Sequence, residues 1–298
     1  MNMTNAWRTI VLDCHESLSL CDNQMVVKHE EEKTTVPIEQ IREILITSDK
    51  GSISLPLLVK LSSQNTKVVF CDAKRTPVSE LTGLNLHFES AGKLMDQVTW
   101  TERRKNAVCK QIIKMKIARQ RDLLDMLGKN TSLLTQYLSE VQPGDANNRE
   151  ALAAKYYFKR LFGNSFIRFE SDAINAALNY GYTILCSSFN RAITLYGYNT
   201  ALGICHYSRN NPFNLSCDLM EPFRPFVDQI VYNLNGQELT WENKQRLIAV
   251  LHDRCIYDGY ETTISNAIES FVRDAISVME TPRKKLKEVN FIESTQSS

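Results

Sequence analysis

The sequence is informative first through what it lacks. No run approaches the roughly 20 consecutive apolar residues that a membrane-spanning helix needs, so no membrane association is expected. The opening residues, Met1-Asn2-Met3-Thr4-Asn5-Ala6-Trp7-Arg8, contain no basic stretch leading into an apolar core, which makes the cytoplasm the expected compartment. No Cys-x-x-Cys occurs, and the eight cysteines (Cys14, Cys21, Cys71, Cys109, Cys186, Cys205, Cys217, Cys255) are scattered. Reduced thiols are expected, with Cys205, His206 and Cys217 the sole soft set that zinc could use. An excess of one charge is also missing, since 35 Lys and Arg against 34 Asp and Glu leave a net +1. That excludes coating nucleic acid by bulk charge, so any DNA site must be local. Internal repeats and low-complexity tracts are absent as well.

What is there is an ordinary globular composition, 43% hydrophobic and 23% charged, in 298 residues. That length exceeds what one core usually fills, and two domains are expected. Residues 7–12, 24–27 and 67–71 are β-branched or aromatic and read as half-buried strands, with Asp22-Asn23 as a hairpin turn. A further strand is expected to end the stretch 38–46, and Leu55-Pro56 opens a short helix to residue 61. Beyond Gly83 the period changes. A long helix is expected over residues 90–127, then helices over 132–141, 148–162, 172–195, 213–234, 241–257 and 262–279. The expected fold class is α+β, with a small N-terminal β-rich domain (1–85), a linker (86–92), a larger, nearly all-α C-terminal domain (93–282), and a polar, mobile tail (283–298).

Three places carry candidate chemistry. Glu150 follows Gln142-Pro143-Gly144-Asp145-Ala146-Asn147-Asn148 and falls in the first turn of a helix capped by Asn147 or Asn148. The helix dipole favours an acid there without any function. The small Ala151, Ala153 and Ala154 beside it permit close helix packing, and a carboxylate buried by that packing needs a base or a metal. His206 ends the apolar Gly203-Ile204-Cys205 run, and the competing account is a histidine that hydrogen-bonds backbone at a helix end. In Asp218-Leu219-Met220-Glu221-Pro222-Phe223-Arg224-Pro225-Phe226-Val227-Asp228, the three acids share a face if helical. Asp218 and Glu221 also have the spacing of a capping box, and the two prolines leave a kinked helix and a fresh start both open. Two carboxylates and an imidazole suit a hard divalent cation, Mg2+ or Mn2+.

In order and spacing, Asn148-Arg149-Glu150-Ala151-Leu152-Ala153-Ala154, Asn175-Ala176-Ala177-Leu178-Asn179-Tyr180-Gly181-Tyr182, Gly203-Ile204-Cys205-His206 and the Asp218–Asp228 segment resemble the CRISPR-associated adaptation integrase family, over essentially the whole chain and closest to its type II branch. The resemblance implies a metal-dependent endonuclease and integrase that inserts short foreign DNA into a CRISPR repeat by 3′-hydroxyl attack. It implies Glu150, His206 and Glu221 as catalytic metal ligands, with Asp218 and Asp228 as further candidates for the metal or for the ligands' surroundings; Asp228, which ends the motif, is expected to be a structural partner of Arg224. Implied partners are double-stranded DNA (prespacer and repeat), a second copy through the β domain, a small adaptation protein completing a heterohexamer, and the type II effector nuclease and ring-shaped adaptation protein.

Lys110, Lys114 and Arg121 share one face of the long helix and are candidate phosphate contacts, as are Tyr207, Arg209 and Arg224 near the loops. A solvated outer face is the competing account of the helical stripe. At the level of the whole protein, the competitors are a non-catalytic DNA-binding scaffold and a general metal nuclease for branched DNA or RNA.

Overall fold

The computed structural model describes residues 8–12, 16–47, 50–64, 66–73, 77–81, 83, 87–281 and 284–292. Trp7 and the last six residues of the expected tail lie outside them. The chain divides into two compact units, Met1–Ser90 and Ala91–Ser298. The first is rich in strands and the second largely helical, so the fold is α+β.

In the first unit, β1 (Arg8–Leu12), β2 (Ser17–Cys21), β3 (Gln24–His29), β4 (Glu32–Pro37), β5 (Ile41–Ile46) and β6 (Ser52–Ile53) precede α1 (Leu55–Ser63), β7 (Lys67–Cys71) and β8 (Pro77–Leu81). They form two four-stranded sheets, ordered β1-β5-β7-β8 and β4-β3-β2-β6. Asp22 and Asn23, both at positive φ (46° and 62°), join β2 to β3 through a two-residue turn. Asp and Asn tolerate that left-handed backbone, which matches the twist of a hairpin. Leu18, Met25, Ile38, Ile41, Ile44, Leu57, Leu61 and Val68 meet in one core, which places the apolar faces of both sheets and of α1 together. Lys67 and Glu43 face each other across β5 and β7, both buried, at 3.9 Å.

The second unit comprises α2 (Ser90–Val98), α3 (Glu102–Met126), α4 (Ser132–Glu140), α5 (Arg149–Phe162), α6 (Ala173–Leu195), α7 (Asn214–Leu219), α8 (Arg224–Leu234), α9 (Trp241–Ala249), β9 (Arg254–Tyr257), β10 (Tyr260–Thr263), α10 (Ile264–Glu280) and β11 (Val289–Asn290). Helix α3 runs through its interior and buries Val108, Ile112, Ile113, Ile117, Leu123 and Leu124.

Several sequence expectations change here. The helix expected over 90–127 is two helices, because Thr101 leaves the helical conformation and its side chain accepts a hydrogen bond from Arg104 N, capping α3. Ser90 already begins α2, so the expected linker 86–92 ends in helix. The 241–257 and 262–279 helices give up their inner ends to a hairpin, β9–β10, turned by Asp258 and Gly259 at positive φ. The tail is not free throughout, since β11 pairs with β9, and Leu286 and Val289 are buried. Arg119 Nη1 donates to Val289 O at 2.6 Å, tying that strand to α3.

Candidate active site

Glu150 is set by a cap that the sequence reading misattributed. Asn148 occupies the N-cap of α5 in a left-handed conformation (φ 53°), but its side chain makes no capping bond. Asp145 does the capping: its two carboxylate oxygens accept from Arg149 N (2.8 Å) and Glu150 N (3.0 Å). Two of the unpaired N–H groups at the helix start are thereby satisfied, and the first turn that carries Glu150 is fixed.

Glu221 arrives on a fresh start, not a kinked helix. Helix α7 ends at Leu219, a single 3-10 turn spans Glu221–Phe223, and α8 begins at Arg224 with Pro225 in its first turn. Each proline thus occupies a position where its missing N–H costs nothing. The buried Glu221 carboxylate is held from two sides, by Arg224 Nη2 on Oε1 (3.0 Å) and by Lys116 Nζ on Oε2 (2.5 Å). Lys116, from the middle of α3, also contacts Glu150 Oε1 at 2.6 Å. Three elements distant in sequence therefore meet on one ammonium. Burial disfavours charge on Glu150, but the Lys116 ammonium beside it holds its carboxyl below the usual range. Burial likewise opposes the Lys116 charge, and the two glutamates more than offset it.

Asp218 faces elsewhere. It is fully buried and accepts from the backbone N–H of Ile204 (2.5 Å), Cys205 (2.8 Å) and His206 (3.2 Å), and it pairs with His206 Nδ1. Gly203 makes this wrap possible, because a Cβ there would stand 2.3 Å from His206 O and 2.9 Å from Asp218 Oδ2. The hydrogen bond to Asp218 outweighs partial burial and pushes the imidazole up to about 9, with Glu221 and Glu150 adding to the effect. Burial pushes Asp218 up, against His206 and the backbone donors, which favour its charge.

Residues 10–251 match the family described as CRISPR associated protein Cas1. The chain belongs to the Cas1 family. It is 35% identical over 273 residues to the CRISPR-associated endonuclease Cas1 of Neisseria meningitidis serogroup C (strain 8013), covering 89% of this chain and 90% of that one. Its fold is that of a casposase bound to integration product (TM-score 0.70, 20% identity, 93% of this chain and 92% of the other). It is also that of a chain in a Cas6-RT-Cas1–Cas2 complex (TM-score 0.72, 18% identity, 94% of this chain and 35% of the other). Curated Cas1 relatives are named endonucleases, and the family places this chain among DNA endonucleases and integrases.

The Cas1-type acids and histidine fall into two couples. Glu150 and Glu221 converge on Lys116, and His206 joins Asp218. Among the described residues no three His, Cys, Asp or Glu stand at metal-holding spacing, and an ammonium stands between the two glutamates. The donor chemistry nonetheless fits a hard divalent ion: two carboxylates already gather a cation, and Asp218 takes Nδ1 of His206, leaving Nε2 outward. Asp228 departs from expectation. It receives hydrogen bonds from Tyr157 (2.8 Å) and Tyr182 instead of pairing with Arg224, which is drawn to the nearer Glu221. Burial pushes Asp228 up to about 6.

Arg224 and Lys116 also line a cavity of about 500 Å3 together with Phe158, Lys159, Arg168 and Tyr182. The basic helix is not the outer helix its charge pattern suggests. Lys110, Lys114 and Arg121 are half-buried on a largely interior α3, and Arg121 is paired with Asp122 at 2.8 Å. Arg209 and Tyr207 are exposed, and the Tyr207 hydroxyl donates to Ile204 O at 2.9 Å. Cys109 of α3 is joined to Cys205, with Cα atoms 5.4 Å apart, which corrects the expectation of reduced thiols for this pair and removes Cys205 from any zinc set, while Cys21, Cys71, Cys186, Cys217 and Cys255 are free. Lys116 was missed altogether. Its signal was there: it falls four residues after Ile112 and one before Ile117, on the apolar stripe and not on the basic one.

Proposed function

We propose that this Cas1-family chain is a metal-dependent DNA integrase, with Glu150, His206 and Glu221 holding Mg2+ or Mn2+. The observation that carries the reading is the convergence of Glu150 and Glu221, from separate elements, on one cation position beside the His206–Asp218 couple. The reaction is a transesterification. A free 3′ hydroxyl of a short DNA attacks a phosphodiester at the edge of a repeat. A new P–O bond forms, the bond to the displaced 3′ oxygen breaks, and that oxygen takes up a proton. A bound divalent ion supplies Lewis acidity toward the attacked phosphate.

The chain's own residues supply the remainder. Asp145 fixes the turn that presents Glu150, and Asp218 holds the His206 imidazole by Nδ1 and so orients Nε2. Lys116 and Arg224 place positive charge at the cavity wall, where phosphates can be gathered, and Arg168 and Tyr182 offer cationic and flat surfaces for an unpaired end. Arg209 and Tyr207, exposed beside His206, extend this contact, and the half-buried Lys110, Lys114 and Arg121 contribute where α3 reaches solvent.

The same reading assigns the strand-rich unit to pairing with a second copy and takes a small Cas2-type protein as the partner that bridges such pairs into a heterohexamer. It also takes the type II effector nuclease and ring-shaped adaptation protein as associates, and the cytoplasm as the compartment. No helix among the described residues is long and apolar enough to cross a membrane.

The test combines the purified protein, its small partner, a short DNA with free 3′ ends and a supercoiled plasmid carrying a repeat. Joining that requires Mg2+ or Mn2+ and disappears in Glu150→Ala and Glu221→Ala is expected. Joining that survives those substitutions overturns the site. Metal-dependent cleavage without joining on every substrate indicates a general nuclease, and DNA binding without either indicates a scaffold.

A further inference from the structure

Lysine is among the residues least often buried, yet the Lys116 side chain is 9% exposed in the middle of an interior helix. Its ammonium sits 2.6 Å from Glu150 Oε1 and 2.5 Å from Glu221 Oε2. A divalent ion in the same place would draw both oxygens closer, to metal–oxygen distances of about 2.1 Å. Glu221 Oε1 is already taken by Arg224. Lys116 hydrogen-bonds Glu150 Oε1 and holds Glu221 Oε2 as an ion pair, so one ammonium occupies an oxygen of each acid.

The structure offers the ammonium a second place. Gln120, one helical turn beyond Lys116 on α3, is 2% exposed, and its Oε1 is buried with no hydrogen-bond partner. A buried amide oxygen left unpaired costs about 1–3 kcal/mol, so an acceptor of this kind invites a donor. Gln120, Lys116 and Asp228 line the same cavity. A lysine side chain rotated about its flexible stem toward that cavity would exchange the two glutamates for Gln120 Oε1 and the neighbourhood of Asp228.

We propose that Lys116 is a placeholder cation with two positions: between Glu150 and Glu221 when the site holds no metal, and against Gln120 in the cavity when a divalent ion takes its place. The proposal rests on the reading of Glu150 and Glu221 as metal ligands. In the first position the lysine compensates the buried Glu221 and the half-buried Glu150 together, which keeps the site assembled before metal arrives. The cost is affinity, because the ion must displace the ammonium and its apparent binding is reduced by the fraction of molecules in which the lysine occupies the site. Lys116 is thus a positioning residue that acts through the glutamates.

The experiment is calorimetric titration of Mn2+ into the metal-free full-length protein, alongside thermal unfolding with and without Mn2+. In Lys116→Met, Mn2+ binding is expected to tighten by about tenfold, roughly 1.4 kcal/mol. The midpoint of unfolding without metal falls, and the gain on adding Mn2+ exceeds that of the unsubstituted protein. Lys116→Gln, which retains polar reach, gives the same direction if the methionine variant does not fold. Gln120→Leu removes the second position and is expected to weaken Mn2+ binding several-fold. Unchanged or weaker Mn2+ binding in the Lys116 variants overturns the proposal, as does a loss of stability equal with and without metal. Glu150→Gln and Glu221→Gln separate the two claims. If they abolish Mn2+ binding while the Lys116 variants leave it unchanged, the metal site stands without the placeholder. If they leave binding intact, the metal site itself falls and the placeholder with it.

Discussion

The region around Lys116 and the loop around His206 both bury acids, yet they compensate them by different means. Glu150 and Glu221 are neutralised by long, mobile cations, Lys116 and Arg224. Asp218 is neutralised by short, fixed donors: three backbone N–H groups and an imidazole held by its own loop. A carboxylate whose partners are backbone amides cannot release them without unfolding the loop, so Asp218 is committed to structure. A carboxylate whose partner is a lysine can exchange that partner for another cation. On the proposed reading, the difference separates the acid that shapes the site from the acids free to exchange their cation, and it does so for Asp218 and Glu221, only three residues apart.

The sharpest break of that comparison is Asp218→Ala. Removal leaves three N–H groups and an imidazole without their acceptor, and a loss of about 3–5 kcal/mol of stability is expected from removing one side of a buried charged network. Glu150→Ala, at the other region, removes an acid whose partner lysine retains Glu221, and a much smaller loss is expected. Chemical unfolding of both variants in metal-free buffer checks the contrast. Equal losses would show that both acids are structural.

Which parts of this were legible in the sequence follows from the kind of signal each residue carries. Strands β1, β3, β5 and β7 and the Asp22-Asn23 turn were visible because alternation and positive-φ residues act locally, whereas β4, β6 and β8 went unread. Glu150, His206, Asp218 and Glu221 were visible only as members of spaced motifs, and the choice between Asp218 and Glu221 was not, because it depends on which way a loop folds back. Lys116 was legible in principle, as a lysine on the apolar stripe of α3, and was passed over because the basic stripe of Lys110, Lys114 and Arg121 outweighed it. The break at Thr101 and the Asp258-Gly259 hairpin were within reach of local rules, but apolar periodicity on either side masked them. The Cys109–Cys205 pair, 96 residues apart, had no local trace.

A second, smaller effect tests a third way of holding an acid, that of Asp228 between two tyrosines. Burial raises its pKa from 3.8 to about 6. The folded state therefore binds this proton more readily than the unfolded chain. Its contribution to stability is fully present below pH 3.8 and is lost as pH rises through about 6, a change of about 3 kcal/mol. In Asp228→Asn that pH dependence disappears. Stability measured from pH 4 to pH 7 should show the unsubstituted protein losing ground relative to the variant as pH rises. Parallel curves would mean that the tyrosine hydroxyls keep the carboxylate charged throughout.

The smallest expected effect is the most local, and it isolates the loop from the lysine. A Cβ at Gly203 meets His206 O at 2.3 Å and the Cβ of Asn214 at 3.0 Å, and a backbone carbonyl cannot yield as a flexible side chain can. Gly203→Ala must therefore move the Ile204–His206 backbone away from Asp218, at a cost of about 2 kcal/mol, within the range for overpacking a well-filled site. The Lys116–Glu150–Glu221 contacts arise from other elements and reach that backbone only through the Cys109–Cys205 bond to α3. Mn2+ titration and DNA joining measured on the same preparation separate the consequences. Joining should fall as His206 loses its orientation, while the glutamates continue to gather a cation with affinity reduced only by the displaced imidazole. A variant that loses stability but joins at the full rate would remove the Asp218-bound histidine from the chemistry and leave the two glutamates to carry it.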